Sequence, residues 1–536
     1  MAARERSALI VALVLLIALP LVPGAIESGS VLGLVRLPVE SLIVLLVLSV
    51  LPRRAARIAV AGVFGALVVL ATVLAALDRV YRTTLSTSFD PADPQSLGDG
   101  FGVVADAIGL VAAVAGVLLL TLVAVGLAVA LAWAALRTDA AIGRHRRTGS
   151  AVLTGVTAAW IAFALIGAQT SATQPAAAAA SADEIGAAVS RASTSVRAQS
   201  ALDRAIVADS YAHVPPSALF GGLRGKDVVV VFIESYGRAA LEGSSFSPGV
   251  DAVLQRGTDA LSKDGYGMRS AWLTSPTFGG ISWLAHSTLQ SGLWITSQAA
   301  YDKVTATQRL TLADAFRQAG WKTVSDVPRD TKDWGVGSSF YHYETLLDGR
   351  NVGYQGPTFG YARIPDQYTF KAFADRMLAP GHQPVFADLD LISSHTPWTP
   401  LPQLVPWSQI GDGSIFAGQP EQSATAATVW EHTETIREAY GRSIQYSLGS
   451  LFSFLQNVDD PNLVVIALGD HQAATIVSGE DASHDVPVSI IARDPAVLRS
   501  IDGWHWQDGL QPGTPAPVWK MDVFRDRFLT AFSAAP

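Results

Sequence analysis

The sequence predicts a helical membrane anchor of five apolar stretches followed by an α/β domain with a mainly parallel sheet. Three observations carry this. Of the 536 residues, 49% are hydrophobic and only 16% charged, too apolar for an ordinary soluble chain of that length. Charge splits the chain, since residues 1–170 hold 12 Lys and Arg against 9 Asp and Glu, while residues 171–536 hold 26 against 37. Beyond about residue 220, short β-branched runs alternate with helical segments.

The apolar stretches lie at about residues 8–26, 31–51, 58–77, 104–136 and 150–169, each near the ~20 residues that a helix needs to cross a bilayer core. Arg36 and Glu40 interrupt the second. Arg36 reads as a helix-end anchor whose long side chain reaches the interface. Nine basic residues (Arg4, Arg6, Arg53, Arg54, Arg57, Arg137, Arg144, Arg146, Arg147) fall on one set of loops, against Arg79 and Arg82 on the alternate set. Cytoplasmic loops carry the excess of Lys and Arg, so five crossings place everything after residue 170 on the outer face of a plasma membrane. The first stretch is then an uncleaved anchor rather than a signal peptide.

Residues 171–219 form a linker or connecting helix, rich in Ala and Ser over its first thirty positions. Its Ala run offers A-x-A spacing just outside the last apolar stretch, which leaves cleavage there open.

In the domain over residues 220–536, strands are expected at 227–233, 322–326, 385–392, 463–468 and 487–493, and helices at 281–290, 310–319 and about 430–456. Near-continuous apolar strands interleaved with helices mean a parallel sheet covered on both faces. Ligands bind at the carboxyl ends of such strands. Glu234 and Ser235 follow the first strand, Ser393, Ser394 and His395 the third, and Gly469, Asp470 and His471 the fourth, with His484 just before the fifth. Carboxylates and imidazoles gathered on one sheet edge are a mixed oxygen and nitrogen ligand set for a divalent metal ion of the Mn, Zn or Mg kind. Cysteine is absent, which removes thiolate ligands, iron–sulfur clusters, thiol catalysis and disulfides. The acidic balance argues against nucleic acid as a partner.

The segments VVVFIES, SPTFGGISWLAHSTLQSG, LISSHTPW, LGDHQ and SHDVP, behind five apolar helices, resemble the lipoteichoic acid synthase and phosphoethanolamine transferase branch of the alkaline phosphatase/sulfatase superfamily. The resemblance covers about residues 225–495 and implies a sulfatase-like α/β fold. It also implies metal ligation by Glu234, Thr277, Asp470 and His471, with Thr277 as the hydroxyl nucleophile, contacts of His395 and His484 to the transferred phosphoryl group or a second metal, and Trp334 at the substrate. A metal-bound hydroxyl is a competent nucleophile at neutral pH. Gly279 and Gly280 allow close backbone approach ahead of the helix at 281–290, whose free N–H groups favour an anion. Thr274, Ser275 and Ser282 compete for the same role. Trp334-Gly335-Val336 lacks the Arg of the Trp-x-Arg segment found in the glycerolphosphate polymerases.

The implied activity is transfer of a phosphoglycerol- or phosphoethanolamine-type headgroup from a membrane phospholipid to an envelope glycan or glycolipid, through a phospho-Thr intermediate. The alternatives are an ester hydrolase of the sulfatase superfamily and a non-catalytic envelope-binding relative. Residues 274–278 lack the modifiable residue and the Arg of the sulfatase motif, and a non-catalytic module has no physical need for the full ligand set.

Overall fold

The computed structural model describes all residues except 1–2, 86, 94–96, 99–100, 102–104, 106–108, 172–173 and 535–536. The chain divides into two compact units, Met1–Ala198 and Gln199–Pro536.

The first unit is helical. Ala3–Ala18 (α1) continues through a 3-10 turn into Val22–Ser28 (α2), and is followed by Val39–Val50 (α3), Arg54–Leu85 (α4), Leu110–Arg144 (α5) and Arg146–Ile166 (α6). Among the described residues four spans are long and apolar enough to cross a membrane, namely Arg4–Ser28, Arg54–Thr83, Leu110–Arg144 and Arg146–Ile166. The start of the fourth expected stretch, at residues 104 and 106–108, lies outside the described residues.

The second expected stretch is helical only over the 12 residues of α3, roughly 18 Å at 1.5 Å per residue. Val31–Leu34 is a 3-10 turn and Leu37–Pro38 is extended. The two charges in the stretch have local partners. Arg36 Nε donates to the Gly33 carbonyl (2.9 Å), and Glu40 Oε1 accepts from Ser181 N (2.8 Å) and Ala182 N (3.1 Å). Glu40 thereby caps Ala180–Val207 (α7), the helix that occupies the expected linker; a carboxylate at free N–H groups is favoured there.

The second unit is a nine-stranded sheet. Its strands are Asp227–Ile233 (β1), Gly267–Thr274 (β2), Lys322–Val327 (β3), Thr345–Asp348 (β4), Val385–Leu391 (β5), Leu463–Gly469 (β6), Asp485–Ala492 (β7), Gln507–Asp508 (β8) and Val518–Lys520 (β9). The order is β8-β2-β7-β6-β1-β5-β3-β4, with β9 also paired to β2. β6, β1, β5, β3 and β4 run parallel, whereas β7 is antiparallel to both β6 and β2.

Alternation along β1 supplies both faces of the core. Val229, Val231 and Ile233 join one apolar cluster with Leu448, Leu451 and Leu455 of Thr433–Asn457 (α12 below). Val228, Val230 and Phe232 join the other, with Leu284 and Leu289 of Ser282–Ser291 (α9 below) and Phe528 near the carboxyl terminus. The helices of this unit include Ser247–Lys263 (α8), Ser282–Ser291 (α9), Leu312–Gln318 (α10), Asp366–Met377 (α11) and Thr433–Asn457 (α12). With both faces covered, every residue of β1 and of β6 is buried, which is why these strands read as unbroken apolar runs.

Candidate metal centre and substrate cavity

Register aligns the strand ends. Ile233 of β1 pairs with Gly469 of β6 on one side and with Leu391 of β5 on the other, so Glu234, Asp470 and Ile392 leave the sheet side by side. β2 ends at the same edge, because Thr274 pairs with Asp485 at the start of antiparallel β7. Gly469 permits the crowding there: a Cβ would stand 1.9 Å from the Tyr236 carbonyl oxygen.

The structure brings Glu234, Asp470 and His471 together, with one ligand atom of each within 4.8 Å of the others. His471 Nε2 is 3.3 Å from Glu234 Oε1 and 3.5 Å from Asp470 Oδ2. Asp470 Oδ1 accepts from the amides of Ser235 and His471, both at 2.7 Å, and Ser235 Oγ donates to Glu234 Oε1 (2.8 Å). These bonds fix both carboxylates before any ligand arrives. All three side chains are buried. Burial pushes Asp470 up, to about 6. Burial alone would raise Glu234 as well, but the His471 imidazolium against it holds it below the usual carboxylate range. Burial would lower His471; Asp470 and Glu234 overcome that and push it to about 9. Two buried carboxylates converging on one imidazole, with no sulfur donor, fit a divalent cation.

The hydroxyl beside this centre belongs to Ser282. Its Oγ donates to Glu234 Oε2 (3.0 Å) and lies 3.2 Å from His471 Nε2. Ser282 is the first residue of α9, where the amides have no partners within the helix. The three residues before it, Gly279, Gly280 and Ile281, all have positive φ, a conformation that glycine adopts freely and Ile281 does not.

Among the described residues Thr277, expected as nucleophile and ligand, makes its side-chain hydrogen bond to Ser275 and not to Glu234, Asp470 or His471. It is buried, its Oγ1 is 3.4 Å from Ser275 Oγ, and it does not line the cavity described below. Ser275 Oγ is itself bound to the Asp470 carbonyl (2.6 Å). The glycine turn separates Thr277 from the helix start by four residues, and the geometry therefore favours Ser282 over Thr277. His484 is also apart: it is exposed, its ring is 5.1 Å from Phe278, and its carbonyl accepts from Ser275 N.

A cavity of about 440 Å³ opens beside the centre, lined by Glu234, Asp470 and Ser282. His395 and Trp334, both expected at the substrate, line it too. His395 stacks on Tyr361 with ring centroids 3.4 Å apart, and the Arg329 guanidinium lies 3.6 Å over the other side of that system, on the Tyr361 ring. Arg329 lines the cavity and supplies a cation where Trp334-Gly335-Val336 has none. The sequence reading also passed over His286, Asp388 and Asp390 in the same wall. Two Asp residues at i and i+2 inside the apolar run VFADLDLI were an available signal, because they must share one face of a buried strand.

No protein-family model and no curated protein matches the sequence. The chain is similar to solved phosphoethanolamine and phosphoglycerol transferases. Lipooligosaccharide phosphoethanolamine transferase A (EptA) of Neisseria meningitidis is 15% identical over 98% of this chain and 95% of that one, with a TM-score of 0.43. The phosphoglycerol transferase GacH of Streptococcus pyogenes, in complex with sn-glycerol-1-phosphate, is 12% identical over 62% and 78%, TM-score 0.37. The lipoteichoic acid synthase LtaP of Listeria monocytogenes is 13% identical over 61% and 76%, TM-score 0.35. At these identities and TM-scores, function has to be read from the site's own residues.

Proposed function

We propose that the chain is a membrane-anchored, metal-dependent phosphotransferase that moves a phosphoglycerol- or phosphoethanolamine-type headgroup from a membrane phospholipid to an envelope glycan or glycolipid. The observation that carries the reading is Ser282 Oγ, held between Glu234 Oε2 and His471 Nε2 at the start of a helix.

Glu234, Asp470 and His471 would hold the cation, with Ser282 Oγ beside it. A divalent cation bound there supplies Lewis-acid chemistry, lowering the pKa of an adjoining hydroxyl and offsetting charge on phosphoryl oxygens. Glu234 accepts a hydrogen bond from the Ser282 hydroxyl in the resting site and orients its lone pairs. The helix start and Arg329 favour the anionic phosphoryl group. Attack forms the Ser282 Oγ–P bond and breaks the bond from phosphorus to the lipid oxygen, which leaves with a proton as diacylglycerol. An acceptor hydroxyl then attacks phosphorus and restores Ser282. His395, in the cavity wall, contacts the phosphoryl group. The apolar helices keep the site near lipid donors, and the basic loops favour an outer-face location in the plasma membrane.

The test is mass spectrometry of lipid products after the detergent-solubilised chain meets defined phospholipids with and without Mn, Zn or Mg ions. Diacylglycerol that appears only with metal supports the reading; intact phospholipid under every condition contradicts it.

A further inference from the structure

The cavity has a second polar end that phosphoryl transfer does not use. Asp388 and Asp390 lie on one face of β5 and both line the cavity. Asp388 is 6% exposed. Its Oδ2 accepts from Tyr343 Oη (2.6 Å) and Gln290 Nε2 (2.7 Å), while its buried Oδ1 has no hydrogen-bond partner among the described residues. Among the described residues Asp390 meets only the His286 imidazole, Nδ1 at 3.5 Å, and burial lowers the His286 pKa, which disfavours its charged form. Among the described residues, no Lys or Arg pairs with either carboxylate. Burial pushes Asp388 up to about 7 and Asp390 to about 8, with Asp330 and Glu234 adding repulsion at Asp390.

We propose that this end of the cavity binds a cationic amino group on the moiety attached to the transferred phosphorus. The inference rests on the phosphotransferase reading above. Ring edges and faces complete the surroundings an ammonium favours: Trp334 and Tyr341 are 5.3 Å apart, and Tyr341 and Tyr343 are stacked at 5.7 Å. His286 lies four residues after Ser282 on α9, about 6 Å along the helix axis, and its imidazole is 3.5 Å from Asp390. A glycerol hydroxyl can donate one hydrogen bond to Asp388 Oδ1, whereas an ammonium donates several and favours the ionised form of both carboxyls, which burial alone disfavours.

The experiment titrates the full-length, detergent-solubilised chain with O-phosphoethanolamine, sn-glycerol 3-phosphate, ethanolamine and inorganic phosphate. Calorimetry reads binding, and diacylglycerol release is measured on the same preparation. Phosphoethanolamine should bind about tenfold more tightly than glycerol phosphate, and Asp390→Asn should reduce that ratio to less than about threefold. Ethanolamine alone should compete, and more weakly than its phosphate ester, which separates a free amine from a headgroup as the ligand. Equal affinities, a glycerol preference, or a ratio that survives Asp390→Asn overturns the inference. Asp388→Asn gives a second variant, and if neither variant folds, the wild-type ratio decides. Absence of diacylglycerol release with the amine preference intact counts against the phosphotransferase reading and leaves the amine site standing.

Discussion

Ser282 donates its hydroxyl to Glu234 across 3.0 Å, joining the first turn of α9 to the carboxyl end of β1. Thr277 makes its side-chain contact with Ser275 instead. Ser282→Ala should therefore lower phospholipid turnover by at least about 10³, while Thr277→Ala stays within about tenfold of wild type. Initial rates with saturating metal measure both. A reversal of the two effects would return the nucleophile to Thr277.

Removal of the metal should be separable from unfolding. Asp470→Asn keeps an oxygen to accept the Ser235 and His471 amides but removes a charge from the ligand set. The variant should lose bound metal by more than about tenfold and lose turnover with it, with its circular dichroism unchanged. Metal analysis after gel filtration checks the first, and full metal content in Asp470→Asn would contradict the assignment.

Asp326 should make stability depend on pH. It is fully buried, neither carboxyl oxygen has a hydrogen-bond partner among the described residues, and burial, with Asp390 and Asp348 adding repulsion, raises its pKa to about 8. Folding thus favours the protonated form. Its contribution is whole below the unfolded value and is lost as the pH rises through the folded one, at a limiting slope of ~1.4 kcal/mol per pH unit. Asp326→Asn, neutral throughout, should flatten the fall in melting temperature between about pH 5 and pH 8. Parallel slopes for variant and wild type would refute this.

Much of the domain was legible in the sequence. β1, β5 and β6 are buried on both faces, and their apolar runs announced them. β2 was missed because GMRSAWLT carries Arg269 and Ser270 inside a strand whose neighbour β7 is antiparallel, so no single period stood out. Glu234, Asp470 and His471 were readable because strand ends in a parallel sheet share an edge. Ser282 was not separable from Thr277, since the choice depends on the turn through Gly279, Gly280 and Ile281, whose backbone conformation the sequence leaves open. The second apolar stretch read as one helix; with Pro38 at its N-cap, α3 starts only at Val39 and leaves Arg36 outside it.

That short helix bears on topology. With an inner amino terminus, the four long spans alone would leave the domain on the inner face, and α3 as a fifth crossing puts it outside. A reporter pair fused near residue 200 should be active outside the membrane and silent inside, as the basic loops require. Activity only in the cytoplasm would contradict the proposed crossing by α3 and the proposed access to envelope substrates.

The central claim is a covalent phosphoryl adduct on Ser282. Intact mass and peptide mapping of the chain, quenched after it meets phospholipid without acceptor, test it most directly. The account predicts a headgroup phosphate on the peptide containing Ser282, with one diacylglycerol released per adduct and neither seen in Ser282→Ala. An unmodified Ser282 during steady turnover, or an adduct on Thr277 or Ser275, would contradict it.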